Sequence, residues 1–270
     1  MTTAYLDLDI VGYRCAASSE DEEEGIAHFR VDDMMNNMLL SLQCEKYVGY
    51  LTGRNNFRKV LYPEYKANRK DKPKPKWLQS CRDYLQFKWG GKVTSGIEAD
   101  DALGIAASHE LGSIICSIDK DLLQIPGDHY NFVKDEYEYV GGRAADLNFW
   151  CQLLIGDTSD NVTGVRGIGP IKARKALEPL KDATEWFSAV RKLYADDGRF
   201  LTNLNVLWVQ RNKDKLWMHE HLDLTAMIPS ELVAEAEQKF STHIAMLSSA
   251  NGTTGLGGTL PSGTETEHTA

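Results

Sequence analysis

The sequence predicts an α/β protein: a mostly parallel central sheet flanked by helices, followed by a helical C-terminal subdomain. Three observations carry this expectation. Strand-like runs at 3–11, 47–51 and 113–117 alternate with segments of helical period, the pattern of a parallel sheet with helical crossovers. Beyond Ala144 the strand pattern stops and helix-period segments follow one another. With 270 residues, 42% of them hydrophobic, there is chain for one sizeable core with a smaller helical appendage.

Residues 3–11 (TAYLDLDIV) alternate apolar and acidic, so the expected strand points Asp7 and Asp9 to one side. The acidic run at 20–24 reads as a solvated loop. Val31–Leu42 has apolar residues at 31, 34, 35, 38, 39 and 42 and reads as a helix. Tyr47–Leu51 reads as a buried strand ending at Thr52-Gly53. Arg54–Lys76 is basic and Pro-rich, predicting an exposed link. Trp77–Trp89 and Glu98–Leu111 read as helices, and Ser113–Ser117 as a short strand ending at Ile118-Asp119. Helices are then expected at 145–155, 170–177, 182–194, 199–211 and 229–246. Residues 248–270 are rich in Gly, Ser and Thr and predict a disordered tail. The expected organisation is thus a core at 1–144 with a basic gateway at 54–92, a helical subdomain at 145–247, and the tail.

The formal net charge of −9 argues against nucleic acid until its distribution is read. Between Arg54 and Lys92 stand twelve Lys or Arg against three acids, so this stretch carries +9 and the rest −18. A basic lobe on an acidic body suits a protein that holds polyanions beside carboxylate-bound cations. The five cysteines, at 15, 44, 81, 116 and 151, show no zinc spacing and read as small buried hydrophobes of a reducing compartment. No leader-like or membrane-length apolar run occurs, so a soluble, cytoplasmic protein is expected.

The acids fall in four clusters: Asp7 and Asp9 on the first strand, Glu98, Asp100 and Asp101 in EADD, Asp119 and Asp121 in DKD, and Asp157 and Asp160 in GDTSD. Any one alone suits a helix start favoured by the macrodipole. Together, at strand and helix ends, they predict a divalent-metal site whose oxygen donors favour Mg²⁺ or Mn²⁺. Lys66 and Arg69 in YPEYKANR lie three apart and would share a helical face toward one phosphate. Beside them Tyr65 either stacks on a base or packs. The run GDTSDNVTGVRGIGPIKA (156–173) ends in a hairpin with Gly164, Gly167 and Gly169 ahead of Pro170. That turn leaves amide N–H groups uncovered for phosphate binding without base readout.

The ordered series YLDLDIVGYR, YPEYKANR, IEADD, SIDKDLLQ and GDTSDNVTGVRGIGPIKA resembles the 5′-nuclease superfamily of flap endonucleases, polymerase-associated 5′-nucleases and phage 5′-3′ exonucleases. The resemblance implies a PIN-like core and a helix-three-turn-helix near 153–177. It implies Asp7, Glu98, Asp100, Asp119, Asp121 and Asp157 as ion holders, directly or through water, with Asp101 and Asp160 supporting them. It gives Lys66, Arg69 and Arg14 as the basic catalytic residues, with Tyr65 beside them. Gly164, Gly167, Ile168, Gly169 and Lys172 would form the DNA cradle, with K⁺ on the hairpin carbonyls. The short link after Arg69 is similar to that of T7-like phage exonucleases. Two positions depart from the family pattern. The first strand reads Asp7-Leu8-Asp9 where the family usually continues Asp-Gly, which leaves Asp9 as an added ligand or merely a polar side chain, and Gly53 stands where the family commonly has a carboxylate. Either Asp9 or water fills that place, or the site binds one metal weakly.

The implied activity is Mg²⁺-dependent hydrolysis near 5′ ends of duplex, nicked or flapped DNA and of RNA–DNA hybrids, in phage replication, with other replication proteins as partners and no membrane. Two rivals remain. A haloacid dehalogenase-type phosphatase would use Asp7 as nucleophile and Asp9 as acid, which leaves YPEYKANR, EADD and the hairpin unexplained. A noncatalytic DNA-binding protein would be a nuclease scaffold weakened at Gly53, but its clustered acids would then stand unpaired.

Overall fold

The computed structural model describes residues 2–44 and 46–252. Strand β1 (Thr3–Asp7) is buried along its whole length. Asp7 ends it by accepting the Ile10 N–H as N-cap of helix α1 (Leu8–Ser18). The strand expected over 3–11 is therefore a strand plus a helix start, and Asp9 lies in the first turn of α1. Leu8, Val11, Gly12 and Cys15 supply the i, i+3, i+4, i+7 face that α1 buries, and this outweighs the local alternation. Helix α2 (Glu24–Leu42) begins inside the acidic run. That run is not a plain solvated loop: Glu20 accepts the Lys76 N–H at 3.0 Å, and the Glu22 carbonyl accepts the Trp77 indole N–H at 3.0 Å. It pins the far end of the basic link.

Next come β2 (Lys46–Arg54), α3 (Arg58–Leu61), a 3-10 turn at Ala67–Arg69, α4 (Leu78–Phe87), β3 (Lys92–Ser95), α5 (Ala99–Ser108), β4 (Ile114–Cys116), a 3-10 turn at Lys120–Gln124, β5 (Gly127–Asn131) and β6 (Glu136–Val140). The sheet order is β3-β2-β1-β4-β5-β6, parallel except for the antiparallel β5–β6 pair. Successive side chains of β1 face opposite ways. Leu6 meets Leu8, Val11, Met35, Leu51 and Leu85 on the face covered by α1, α2 and α4. Tyr5 meets Leu103, Ile115, Leu122 and Val209 on the α5 face. The carboxyl ends of β1, β2 and β4 open at one edge of the sheet, where an α/β fold gathers its ligands.

The remainder is α6 (Gly142–Ile155), the short antiparallel pair β7 (Gly156–Asp157) and β8 (Val162–Thr163), α7 (Pro170–Leu177), α8 (Ala183–Leu193), α9 (Asp197–Leu207), α10 (Trp217–Glu220), α11 (Leu222–Thr225) and α12 (Ser230–Gly252). Its core is aromatic: Trp150 and Phe200 pack edge-on to Phe187, which stacks on Trp217. Phe57, Leu61 and Tyr65 belong to this core. The link at Arg54–Lys76, expected to be exposed, is therefore anchored through its first half by apolar side chains set among its cations. The expected tail is corrected at 248–252, which continue α12; residues 253–270 lie outside the described residues.

Candidate functional site

Asp7, Asp100, Asp119 and Asp121 come from the end of β1, the first turn of α5 and the cap and first turn of the 3-10 turn after β4. Ser117 ties two of them: its hydroxyl donates to Asp7 Oδ2 at 2.8 Å, and its oxygen accepts the Asp119 N–H at 3.0 Å. Asp119 Oδ1 accepts the Asp121 N–H at 2.9 Å. Burial and the neighbouring Asp9 push the Asp7 carboxyl up to about 7. Burial, Asp119 and Asp157 do the same to Asp121, also to about 7. Asp100 is pushed well above the carboxylate range by burial, Asp7 and Asp119, and Asp119 is raised chiefly by burial. These four acids repel one another more than the nearby Lys66 and Lys120 offset, and their all-oxygen donor set suits a hard divalent cation. Among the described residues no three such side chains, as they stand, close around one point.

Since the folded state holds these protons to higher pH than the unfolded chain, the stability Asp7 and Asp121 contribute is present below about pH 4 and lost as pH rises toward 7. In EDTA the unfolding midpoint is expected to fall from about pH 5 to about pH 8, and Mn²⁺ to restore it at the upper end. Scanning calorimetry at both pH values checks this. Asp157 and Glu98 do not offset it. Burial would raise Asp157, but Ser159 and the Asp160 N–H hold it below the usual range. Burial would likewise raise Glu98, but Arg58, Lys66 and Tyr65 hold it low.

The YPEYKANR segment docks on the GDTSD loop. The Lys66 N–H donates to the Asp160 carbonyl at 2.8 Å, Asn68 to the Thr158 carbonyl at 2.8 Å, and Arg69 Nε to the Ser159 carbonyl at 2.9 Å. The Lys66 ammonium is ion-paired with Glu98 and lies 3.6 Å from Asp160, while Arg69 is ion-paired with Asp160. The expected shared helical face is replaced by a left-handed Lys66 (φ 57°) capping the 3-10 turn. Both cations still reach one carboxylate. Tyr65 does not stack on a base: it is 3% exposed, and its hydroxyl lies 2.7 Å from Glu98 and 2.6 Å from Asp160. Its hydroxyl bridges those two carboxylates, and Asp160 is paired with the two cations.

Asp101 leaves the metal set as well. It is fully buried and grips Arg58 through two bonds of 2.5 and 2.8 Å, while accepting the Glu98 and Gln210 N–H groups. Arg58 also donates to the Val206 and Trp208 carbonyls at 2.8 and 2.9 Å. Sequence reading missed Arg58, which is one cation among twelve; the neighbouring Phe57 and Leu61 were the available signal. Ser117 was missed too. Arg14 stands exposed about two turns along α1 from Asp7 and is not brought to the acids.

Gly53 carries no carboxylate because none fits: a Cβ there would lie 1.8 Å from the Thr94 carbonyl oxygen, where β2 and β3 shift register. Asp9, an alternative filler, is ion-paired with Arg82 and accepts the Thr52 N–H at 2.9 Å.

In the hairpin Gly164 is a packing residue: a Cβ would sit 2.4 Å from Gly156 N and 2.5 Å from the Leu154 carbonyl. Ile168 packs against the helical core. Gly167 (φ 80°) and Gly169 face open space ahead of α7. The Lys172 ammonium donates to the Gly167 carbonyl at 3.0 Å, so one carbonyl expected to take K⁺ already holds a cation.

Comparison with known proteins bears on the fold and the family. The chain is 29% identical over 166 residues to a flap endonuclease Xni of Shewanella baltica, covering 54% of this chain and 62% of that protein. It is 28% identical over 182 residues to its counterpart in Shewanella oneidensis, covering 59% and 69%. The chain thus spans 62% of the length of the Shewanella baltica relative. It shares its fold with T5 5′-exonuclease solved with divalent zinc ions bound, at a TM-score of 0.61 and 14% identity over 91% of this chain and 99% of that one. The T5 D15 protein co-crystallized with metal ions gives 0.59 and 15%, over 90% and 99%. The model of the 5′-3′ exonuclease N-terminal, resolvase-like domain matches residues 12–146, half of the chain, and places it in the 5′-nuclease superfamily.

Proposed function

We propose that this chain is a divalent-cation-dependent 5′-nuclease that hydrolyses phosphodiesters near the 5′ ends of duplex, nicked or flapped DNA, and of RNA–DNA hybrids. The observation that carries this reading is the juxtaposition of mutually repelling carboxylates, raised by burial and by one another, with a docked pair of cations, Lys66 and Arg69. Asp7, Asp100, Asp119, Asp121 and Asp157 would hold Mg²⁺ or Mn²⁺. The chemistry such ions supply is polarisation of a phosphoryl oxygen and a water acidic enough to ionise near neutral pH. Lys66 presents its ammonium to the scissile phosphate and steadies developing charge. Glu98, Asp160 and Tyr65 hold that ammonium in place. Gly167, Gly169 and the start of α7 grip the duplex backbone, which makes residues 145–247 the DNA-holding part.

Among the related structures, the T5 D15 flap endonuclease is described as a pseudo-enzyme-product complex with DNA and metal ions, which supports DNA as the substrate class. A place in phage replication, in the host cytoplasm, follows from the resemblance to phage exonucleases. The phosphatase reading loses its acid, because Asp9 is committed to Arg82 and the Thr52 N–H.

The test is the length of products from 5′-labelled duplex and 5′-flap DNA, with Mg²⁺ and with EDTA. Short 5′ products that need the metal are expected. DNA bound but never cut would leave only a DNA-binding scaffold.

A further inference from the structure

The sequence departs from its family at Asp9 and Gly53, and the two departures meet in one small network. Both Asp9 oxygens are occupied: Oδ1 by the Arg82 guanidinium and Oδ2 by the Thr52 N–H at 2.9 Å. Arg82 also donates to the Thr52 carbonyl at 2.5 Å, and the Thr52 hydroxyl accepts the Ala99 N–H at 2.9 Å. Ala99 opens α5 between Glu98 and Asp100, and Asp9 lies in the first turn of the helix that Asp7 caps. The Arg82 stem is seated against α1, with its Cγ 3.6 Å from where a Cβ on Gly12 would stand. The guanidinium is thus fixed by two elements and partly shielded from water.

We infer that Arg82 is a resident cation of the acidic centre: its guanidinium neutralises Asp9, keeps Asp9 out of the metal-ligand set, and fixes the starts of α1 and α5 against the end of β2. This rests on the metal-dependent reading above. Arg82 begins its work from α4, the helix that follows the basic link, so the link and the acidic centre share one rigid joint. A metal ion reaching Asp9 would have to displace a guanidinium held at two points, and that positive charge disfavours a second cation beside it. Arg82 acts through Asp9 and Thr52 and is a positioning residue.

The experiment measures Mn²⁺ binding to the full chain without DNA, from the electron paramagnetic resonance of free Mn²⁺. Asp9→Asn keeps an oxygen for the Thr52 N–H and should bind the same number of ions as the wild type. Arg82→Met should bind Mn²⁺ about tenfold more tightly, because it removes a neighbouring positive charge and frees a carboxylate. The double variant should lose that gain, and Arg82→Lys should return to the wild-type value. Loss of a bound ion in Asp9→Asn, or unchanged affinity in Arg82→Met, overturns the proposal while leaving a metal-dependent nuclease intact. A wild type that binds no Mn²⁺ overturns both.

Discussion

Replacing Arg58 by alanine is expected to destabilise the protein by about 3–5 kcal/mol, the cost of breaking a buried ion pair from one side. Asp101, fully buried, would lose both guanidinium bonds. The Val206 and Trp208 carbonyls would lose their donor as well. The damage extends beyond stability, because Asp101 also accepts the Glu98 N–H at the start of α5 and the Gln210 N–H of the chain returning from the helical part. Arg58 therefore ties the basic segment, the carboxylate-bearing helix and the return segment 206–210 at one point. Replacing both partners, as Arg58→Met with Asp101→Leu, should recover only part of the loss, since those two N–H groups would then stand unsatisfied. Urea unfolding of the single and double variants checks this; a single variant within about 1 kcal/mol of the wild type would show that the pair does not carry the joint.

Replacing Lys66 by alanine is expected to lower single-turnover cleavage by about 10²–10³-fold, the effect of removing one preorganised charge donor from a developing oxyanion. DNA affinity should change by less than about threefold, because on the proposed reading Lys66 would be one phosphate contact among many. The structure supports this split. Burial would lower the Lys66 ammonium, but Glu98 and Asp160 hold it above the ordinary lysine value, so it stays charged at neutral pH. Its backbone is fixed in a left-handed conformation on the Asp160 carbonyl. Arg69 is more exposed and should contribute more to binding than to rate. Rapid-quench cleavage alongside anisotropy titration separates the two, and unchanged cleavage by Lys66→Ala removes this residue from the reaction.

The site was legible where chemistry forces density. Carboxylates crowded at the ends of Ile115-Cys116 and at the start of Ala99–Ser108 are hard to explain without a cation. The joints that organise those acids were not legible. Arg58 and Arg82 look like solvated members of a basic run, and only the tertiary fold shows that one is buried and the other clasps Asp9. Asp9 itself was misread because LDLDIV alternates like a strand while its apolar residues also fit a helix face, and the Asp7 cap decides between them. Strands β5 and β6 escaped notice because GDHYN and EYEYV carry Tyr, Glu and His where apolar residues would signal a strand. Gly53 read as a lost ligand; the fold shows a position where β3 leaves room for no side chain.

The most direct test is single-turnover cleavage of 5′-labelled duplex DNA in Mg²⁺ by Asp119→Ala. Asp119 links Ser117, and through it Asp7, to Asp121. A centre built on these acids should lose at least about 10³-fold in rate, a metal site's share of transition-state stabilisation, while DNA remains bound. Cleavage at the wild-type rate would place the chemistry elsewhere in the molecule.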